Sequence, residues 1–128
     1  MTNAEFRTML EVRTKDFSIA VFKVLDALPK KTSTQVVAFQ LGKSASSIGA
    51  NYREATRAES RVDFGHKLQI ALKEAAESCY WLEILCGLYP MHVTFRKLNA
   101  ECVELRNLFQ TIAKTARSKA KFNNTLSK

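Results

Sequence analysis

Proline and glycine are scarce in this chain, which has two prolines and four glycines among its 128 residues. Because these two residue types occupy most tight turns, we expect few turns and long regular elements. That scarcity excludes a many-stranded β-sandwich, and the length, which suits a single domain, excludes a multidomain enzyme. Hydrophobic residues make up 46% of the chain and charged residues 25%, so a core can form without disulfides or metals.

Long hydrophobic runs are also missing. Lys, Arg, Glu or Gln interrupts every apolar stretch before it reaches the roughly 18 residues of a membrane span. The amino-terminal residues lack the basic-then-apolar order of a secretory signal. We therefore expect a cytoplasmic protein that does not enter a membrane.

Cysteine is sparse and odd in number, with Cys79, Cys86 and Cys102. Cys79 and Cys86 would lie roughly 10 Å apart on one helix, which is too far for a disulfide. In a cytoplasmic protein we expect all three to be reduced, buried thiols.

Negative charge is absent from the last part of a chain whose formal net charge is +8. From Thr111 onward there is no Asp or Glu, whereas five basic residues occur there. Concentrated positive charge favours a polyanionic partner, although cations also suit the carboxyl end of a helix dipole. The predicted nucleic-acid-binding residues are Lys114, Arg117, Lys119 and Lys121.

Hydrophobic residues recur at alternating intervals of three and four positions, which is the period of an amphipathic helix. These intervals predict four helices, over about residues 3–28, 33–57, 61–89 and 93–120. The one short β-friendly run, residues 36–39, continues a helical stripe. The predicted fold class is therefore all-α, an antiparallel up-down-up-down four-helix bundle over residues 1–121 with a frayed basic tail over residues 122–128.

Each predicted helix has a stripe of residues that we expect to be buried. The four stripes are, in chain order, Leu10, Phe17, Val21, Val24 and Leu28; Val37, Leu41, Ala45, Ile48, Tyr52 and Ala55; Leu68, Ala71, Ala75, Ser78, Leu82, Leu85 and Tyr89; and Phe95, Leu98, Cys102, Leu105, Phe109, Ile112 and Ala116.

Prolines and short polar residues mark the ends of these helices. Pro29 and Pro90 cannot continue a helical hydrogen-bond ladder, so they separate helix 1 from helix 2 and helix 3 from helix 4. Thr32 or Ser33 is expected to cap helix 2. Ser60, with an acidic residue three positions later, is expected to cap helix 3.

Helix 3 carries a second apolar stripe beside the one that we assign to the core. A helix that is apolar nearly all round is usually covered on both sides. Either loop or tail residues of the same chain cover this stripe, or it forms an interface between copies of the chain. The candidate interface residues, including apolar residues outside the stripes of helices 1 and 2, are Trp81, Ile84, Leu88, Ile19, Phe22 and Phe39.

A longer pattern runs from Leu28 to Leu82. It consists of a Leu-Pro turn, a Gln-Leu pair, a basic-Ser-x-x-Ser-Ile-x-x-Asn-x-x-Glu segment, and then an Arg, a Ser, an acidic-Phe pair and a Glu. The matching residues are Leu28, Pro29, Gln40, Leu41, Lys43, Ser44, Ser47, Ile48, Asn51, Glu54, Arg57, Ser60, Asp63, Phe64 and Glu77. This order resembles the bacterial four-helix-bundle family first noticed as reading frames inside intervening sequences of 23S rRNA genes. Ala55 departs from the glycine usual in that family, and Tyr52-Arg53 departs from its Ile-Ala pair.

The resemblance implies a cytoplasmic antiparallel bundle that forms a ring-like homo-oligomer, a pentamer in some relatives, with no assigned catalytic activity. A related branch comprises the accessory proteins of diversity-generating retroelements. Those are basic ring-shaped bundles that bind a reverse transcriptase and nucleic acid.

Several polar residues share one side of helix 2 because they are three or four positions apart. With Glu77 of helix 3 they would form either a buried hydrogen-bonded network that sets helix register or a pocket for a small molecule or metal. The residues of this predicted polar network are Ser44, Ser47, Asn51, Glu54, Arg57 and Glu77. Within helix 2, Glu54 and Arg57 have the spacing of an ion pair.

Known catalytic patterns are missing. A di-iron bundle requires two Glu-x-x-His units, which this sequence lacks, and Ser44, Ser46 and Ser47 have no histidine near them in sequence. His92 follows the Pro90 turn without an evident partner. We therefore predict no enzyme activity and no cofactor. The predicted function is an oligomeric scaffold that binds nucleic acid or a nucleoprotein, and the alternative is a small-ligand-binding protein with a polar pocket between helices 2 and 3.

Overall fold

The computed structural model describes the backbone of residues 1–127 and the side chains of residues 1–119. It contains four helices, α1 (Asn3–Asp26), α2 (Thr32–Thr56), α3 (Arg61–Leu88) and α4 (Val93–Ser127), and no β-strand occurs in this backbone. Each helix packs against its two neighbours, and α1 closes the ring by contacting α4. The predicted all-α four-helix bundle is therefore confirmed.

The helices begin and end close to where the hydrophobic pattern placed them, within two residues at every end except the last. There, α4 continues to Ser127 instead of ending near residue 120. The side chains of the predicted frayed tail, residues 122–128, lie outside the described residues.

The core consists of the predicted stripes with two local shifts. Every stripe residue of α2 is buried, as are Leu68 to Leu85 of the α3 stripe. In α1, Leu25 is buried, whereas the predicted Val24 and Leu28 are only half-buried. In α4, Ala113 is buried in place of the half-buried Ile112. Alternating intervals of three and four assume 3.5 residues per turn, so the buried face of a 3.6-residue helix moves one position along over several turns.

The caps agree with the sequence in α3 and differ in α2. Ser60 Oγ accepts a hydrogen bond from the backbone N–H of Asp63 at 3.0 Å. In α2 the cap residue is Lys31, so the prediction of Thr32 or Ser33 is wrong. Lysine has no short side-chain acceptor, and Thr34 Oγ1 instead accepts from the Lys31 N–H at 2.9 Å and hydrogen-bonds the Pro29 carbonyl.

His92, for which the sequence offered no partner, immediately precedes α4. Its Nδ1 accepts a hydrogen bond from the backbone N–H of Phe95 at 3.3 Å, and the two rings stack with centroids 3.8 Å apart. The imidazole therefore satisfies one of the free N–H groups at the start of the helix.

Helix α1 approaches α2 very closely. A methyl group at Gly49 would lie 2.9 Å from Thr14 Oγ1, and one at Gly42 would lie 3.2 Å from the Phe22 ring. Ser18 Oγ also donates to the Ala45 carbonyl at 3.1 Å, across the interface. The small residues of α2 thus allow the backbones of the two helices to approach.

Helix α1 packs less extensively against α4. A groove of about 620 Å³ lies there, lined mainly by apolar residues such as Met9, Val12 and Leu98. At its edge Arg13 forms a bidentate pair with Glu101 at 2.7 and 2.8 Å and a second contact with Glu104 at 3.0 Å. Long charged side chains therefore connect α1 to α4, whereas small residues bring α1 close to α2.

No helix, over the portion of the chain that the structure describes, is long and apolar enough to cross a membrane.

Candidate functional site

The basic segment of α4 is exposed. Lys114, Arg117 and Lys119 are all accessible to solvent, and the side chain of Lys121 lies outside the described residues. Lys114 and Arg117, three residues apart, share one face of the helix, whereas Lys119 is rotated by about 140° from Lys114. The four predicted residues therefore do not form a single stripe, and Lys119 lines a cavity instead.

That cavity, which we call the end cavity, lies where α1 and α3 begin, α2 ends and the last part of α4 passes. Its volume is about 700 Å³, within the range of small-molecule sites. Aromatic and aliphatic side chains belong to its lining, whose charged residues are three cations and the carboxylate of Glu59. The residues used below are Phe6, Tyr52, Phe64, Arg7, Arg61 and Lys119.

Tyr52 is the most buried of these residues, with 4% of its surface exposed. Its ring packs edge-on against Phe109, with centroids 5.5 Å apart. Burial, together with the negative charge of Glu11, raises the pKa of Tyr52, while Arg7 acts in the opposite direction. The hydrogen bonds among described residues leave the Tyr52 hydroxyl without a partner. A protonated hydroxyl at this site can donate a hydrogen bond to a ligand.

The predicted polar network is not a connected network. Ser44 Oγ lies 2.9 Å from Ser78 Oγ across the α2–α3 interface, and this contact is buried. Ser47 donates to the Lys43 carbonyl at 2.7 Å, and Asn51 donates to the Ser47 carbonyl at 2.8 Å. Hydroxyl and amide groups mid-helix commonly bond to the carbonyl one turn earlier, which is why these residues do not converge.

The charged members of the predicted network have other partners. Glu54 pairs with Lys67 of α3 at 2.9 Å, so the expected ion pair with Arg57 is wrong. Arg57 Nη1 donates to the Arg53 carbonyl at 3.4 Å. Glu77 is a like-charged neighbour of Glu74 within α3. Burial and the negative charge of Glu77 both raise the pKa of Glu74. Residues of the predicted network line neither the end cavity nor the α1–α4 groove.

The candidate interface residues fall into two groups. Ile19, Phe22, Phe39 and Leu88 are exposed, Phe39 most of all at 67%. Trp81 and Ile84 are half-buried and pack against the core of their own chain. Trp81 also contacts Tyr80 edge-to-face, and its Nε1 is buried without a partner in the described structure.

Two of the three cysteines meet inside the bundle. Cys79 of α3 and Cys102 of α4 are buried, with their Sγ atoms 3.1 Å apart, and all three cysteines are free thiols. Cys86 is half-buried. The hydrogen bond with Cys79, together with burial, raises the pKa of Cys102, and burial raises the pKa of Cys86. The spacing argument considered only Cys79 and Cys86 on one helix, so it could not predict the contact of Cys79 with Cys102 between α3 and α4.

Among the described side chains, no group of three or more His, Cys, Asp or Glu residues converges in a way that could hold a metal ion.

Comparison with known proteins identifies the family. The profile of the family described as 23S rRNA-intervening sequence protein matches residues 9–111. A solved structure from Bacteroides thetaiotaomicron, of a protein with unknown function from the S23 ribosomal protein family, is 34% identical in sequence with a TM-score of 0.75. The match covers 84% of this chain and 97% of that one. The curated proteins give no significant match.

Proposed function

The chain belongs to the 23S rRNA-intervening sequence protein family, and the solved relative from Bacteroides thetaiotaomicron is described as a protein with unknown function. We propose that this chain is a non-enzymatic, oligomeric helical scaffold that binds nucleic acid. The observation that carries this proposal is the exposure of Lys114, Arg117 and Lys119 in a segment without any acidic residue. Cations of this kind bind phosphates by releasing counterions, without reading sequence.

The absence of catalysis is part of the proposal. Ser44, Ser46 and Ser47 each donate to a backbone carbonyl of α2. His92 accepts a backbone hydrogen bond at the start of α4, which occupies its Nδ1. A nucleophile requires a base within hydrogen-bond reach, and these contacts give none.

Oligomerisation is supported by the exposed apolar residues of α1 and α2. Ile19, Phe22 and Phe39 expose between 45% and 67% of their surface. Phe22 lies against Gly42, one turn beyond Phe39 along α2, and Ile19 lies one turn before Phe22 along α1, so the three follow one another along the seam between the two helices. Apolar clusters on a soluble protein commonly mark a protein interface. We assign this cluster to contacts between copies, in the ring of five that the family resemblance implies, which would multiply a weak phosphate site by avidity.

Salt-dependent binding of mixed-sequence single-stranded RNA and DNA tests the scaffold. Replacing Lys114, Arg117, Lys119 and Lys121 with Gln should weaken binding at least about tenfold and flatten the dependence on salt. The matched control replaces four exposed lysines elsewhere, Lys15, Lys23, Lys30 and Lys97, with Gln, which changes the net charge equally. Equal losses in the two variants would refute a binding site at the basic segment and leave only nonspecific attraction.

Light scattering tests the assembly. Phe39→Glu places a charge on the exposed cluster and should reduce the particle mass, while the subunit stays folded because this side chain lies largely in solvent. Val62→Glu, at a position 55% exposed on α3, is the control and should leave the mass unchanged. An unchanged mass for Phe39→Glu would show that the α1–α2 cluster is not an interface.

A further inference from the structure

The end cavity has features that simple attraction to phosphates does not require. Basic residues alone can bind a nucleic-acid backbone, yet this cavity also contains the aromatic residues Phe6, Tyr52 and Phe64. All three come from different helices, so no local feature of one helix accounts for their meeting. The ligand of the end cavity therefore has an apolar part, preferably a flat one.

The charged part of the ligand follows from the cations of the lining. Arg7, Arg61 and Lys119 come from α1, α3 and α4. None of the three forms a salt bridge with a carboxylate among the described residues. Three such cations against the single carboxylate of Glu59 favour an anionic group, and a phosphate suits the donors of arginine especially well.

Two polar groups of the lining narrow the apolar part of the ligand further. Neither the Tyr52 hydroxyl nor the Glu59 carboxylate has a hydrogen bond or ion pair with another described residue. An acyl chain offers neither group a hydrogen bond. A heteroaromatic ring offers hydrogen-bond donors and acceptors at its edge and apolar faces to the phenyl rings.

We infer that the end cavity binds a nucleotide, with its base among Phe6, Tyr52 and Phe64 and its phosphate near Arg7, Arg61 and Lys119. The nucleotide is either free or an unpaired residue of a bound strand. Only the second of these sources, an unpaired residue of a bound strand, rests on the proposed function.

Calorimetry with three probes tests the site itself. AMP carries both the base and the phosphate, whereas adenosine lacks the phosphate and ribose 5-phosphate lacks the base. AMP should bind about tenfold or more tightly than either fragment, because each fragment loses one set of contacts. Equal binding of AMP and ribose 5-phosphate would overturn the inference, since it would reveal an anion site only, and so would failure of AMP to bind.

Variants link AMP binding to the cavity. Tyr52→Phe keeps the ring against Phe109 and should weaken AMP about two- to tenfold through the lost hydrogen bond. Arg61→Gln should weaken it about tenfold, the usual effect of losing a charge-assisted contact. The matched control is Arg57→Gln, a neighbouring exposed arginine that does not line the cavity, which should bind AMP as the parent does. Unchanged AMP affinity in both Tyr52→Phe and Arg61→Gln would refute the site.

A short single strand, its duplex and a matching abasic strand distinguish the two sources of the nucleotide. Preference for the single strand over the other two, lost in Tyr52→Phe, assigns the site to an unpaired residue of a strand. If AMP binds and no strand does, the ligand is free nucleotide and the proposed function is wrong. If all three strands bind equally and AMP does not, the proposed function stands and the nucleotide site is refuted.

Discussion

Helix α1 has two neighbours and meets them in opposite ways. Toward α2 the helices are so close that a methyl group at Gly49 would lie 2.9 Å from Thr14 Oγ1. Toward α4 a groove of about 620 Å³ remains, and Arg13 reaches across its edge to Glu101 and Glu104. The same helix is thus held by steric fit on one side and by long charged side chains on the other.

The difference teaches that the residues facing α1 decide how close a neighbour comes. Gly42, Ala45 and Gly49 of α2 have little or no side chain, so dispersion contacts form between helix backbones. Exposed ion pairs contribute less to stability than such packing. We therefore expect the α1–α2 interface to dominate the stability of α1 in the bundle.

Gly49→Leu should give the largest effect because it overpacks the tight interface. The new side chain would collide with the buried Thr14, whose surface is fully inaccessible, and we expect a loss of about 3 kcal/mol in the free energy of unfolding. Chemical denaturation measures it. Gly87→Leu is the control, since no atom lies within 4 Å of a Cβ there, and it should cost nothing. Similar losses in both variants would mean that the tight fit has no special role.

Ala20→Leu makes a small-to-large change on the opposite side of α1. Ala20 lines the groove between α1 and α4, so added methyl groups would fill space instead of colliding. We expect stabilisation by about 1 kcal/mol, visible as a higher melting temperature. A destabilisation like that of Gly49→Leu would abolish the contrast between the two interfaces.

Removing the ion pair of the looser interface should have a smaller effect. Arg13→Gln and Glu101→Gln, combined in a double-mutant cycle, should give a coupling energy below about 1 kcal/mol, because both side chains are partly exposed, at 26% and 31%. The coupling should decrease with added salt. Coupling above about 2 kcal/mol would instead make the ion pair a principal contact between α1 and α4.

Gly42→Ala should have the smallest effect. Gly42 faces the partly exposed Phe22 ring, whereas Gly49 faces the buried Thr14. The added methyl group would meet the Phe22 ring at 3.2 Å, and that ring is 46% exposed and free to move aside. The better helix propensity of alanine should offset the contact, giving a net change within about 0.5 kcal/mol. A loss as large as that of Gly49→Leu would show that Phe22 is rigidly held.

Much of the fold could be predicted because burial on a helix follows a short period. The stripe from Val37 to Ala55 is buried at every predicted position. The prediction shifted at Leu25 and Ala113, where the true helical period differs from the assumed one. The cap of α2 was missed because Lys31 has no side-chain acceptor, and the side-chain contact at this helix start is made by Thr34, which accepts from the Lys31 N–H.

Less of the site could be predicted. The exposed cations Lys114 and Arg117 are visible as a run of positive charge. The end cavity is not, since Phe6, Tyr52 and Phe64 belong to three different helices and no pattern in the sequence indicates that they meet. The Cys79–Cys102 contact could not be predicted from the sequence either, because it forms between two helices.

By itself the sequence determined four helices, their buried faces and a basic final segment, because hydrophobic spacing and charge act over a few residues. Only the tertiary structure decided that α1 fits tightly against α2 and loosely against α4, that Glu54 pairs with Lys67, and that the ends of three helices form a cavity with the last part of α4. Those features depend on distances between helices, which are set by side chains meeting from remote parts of the chain.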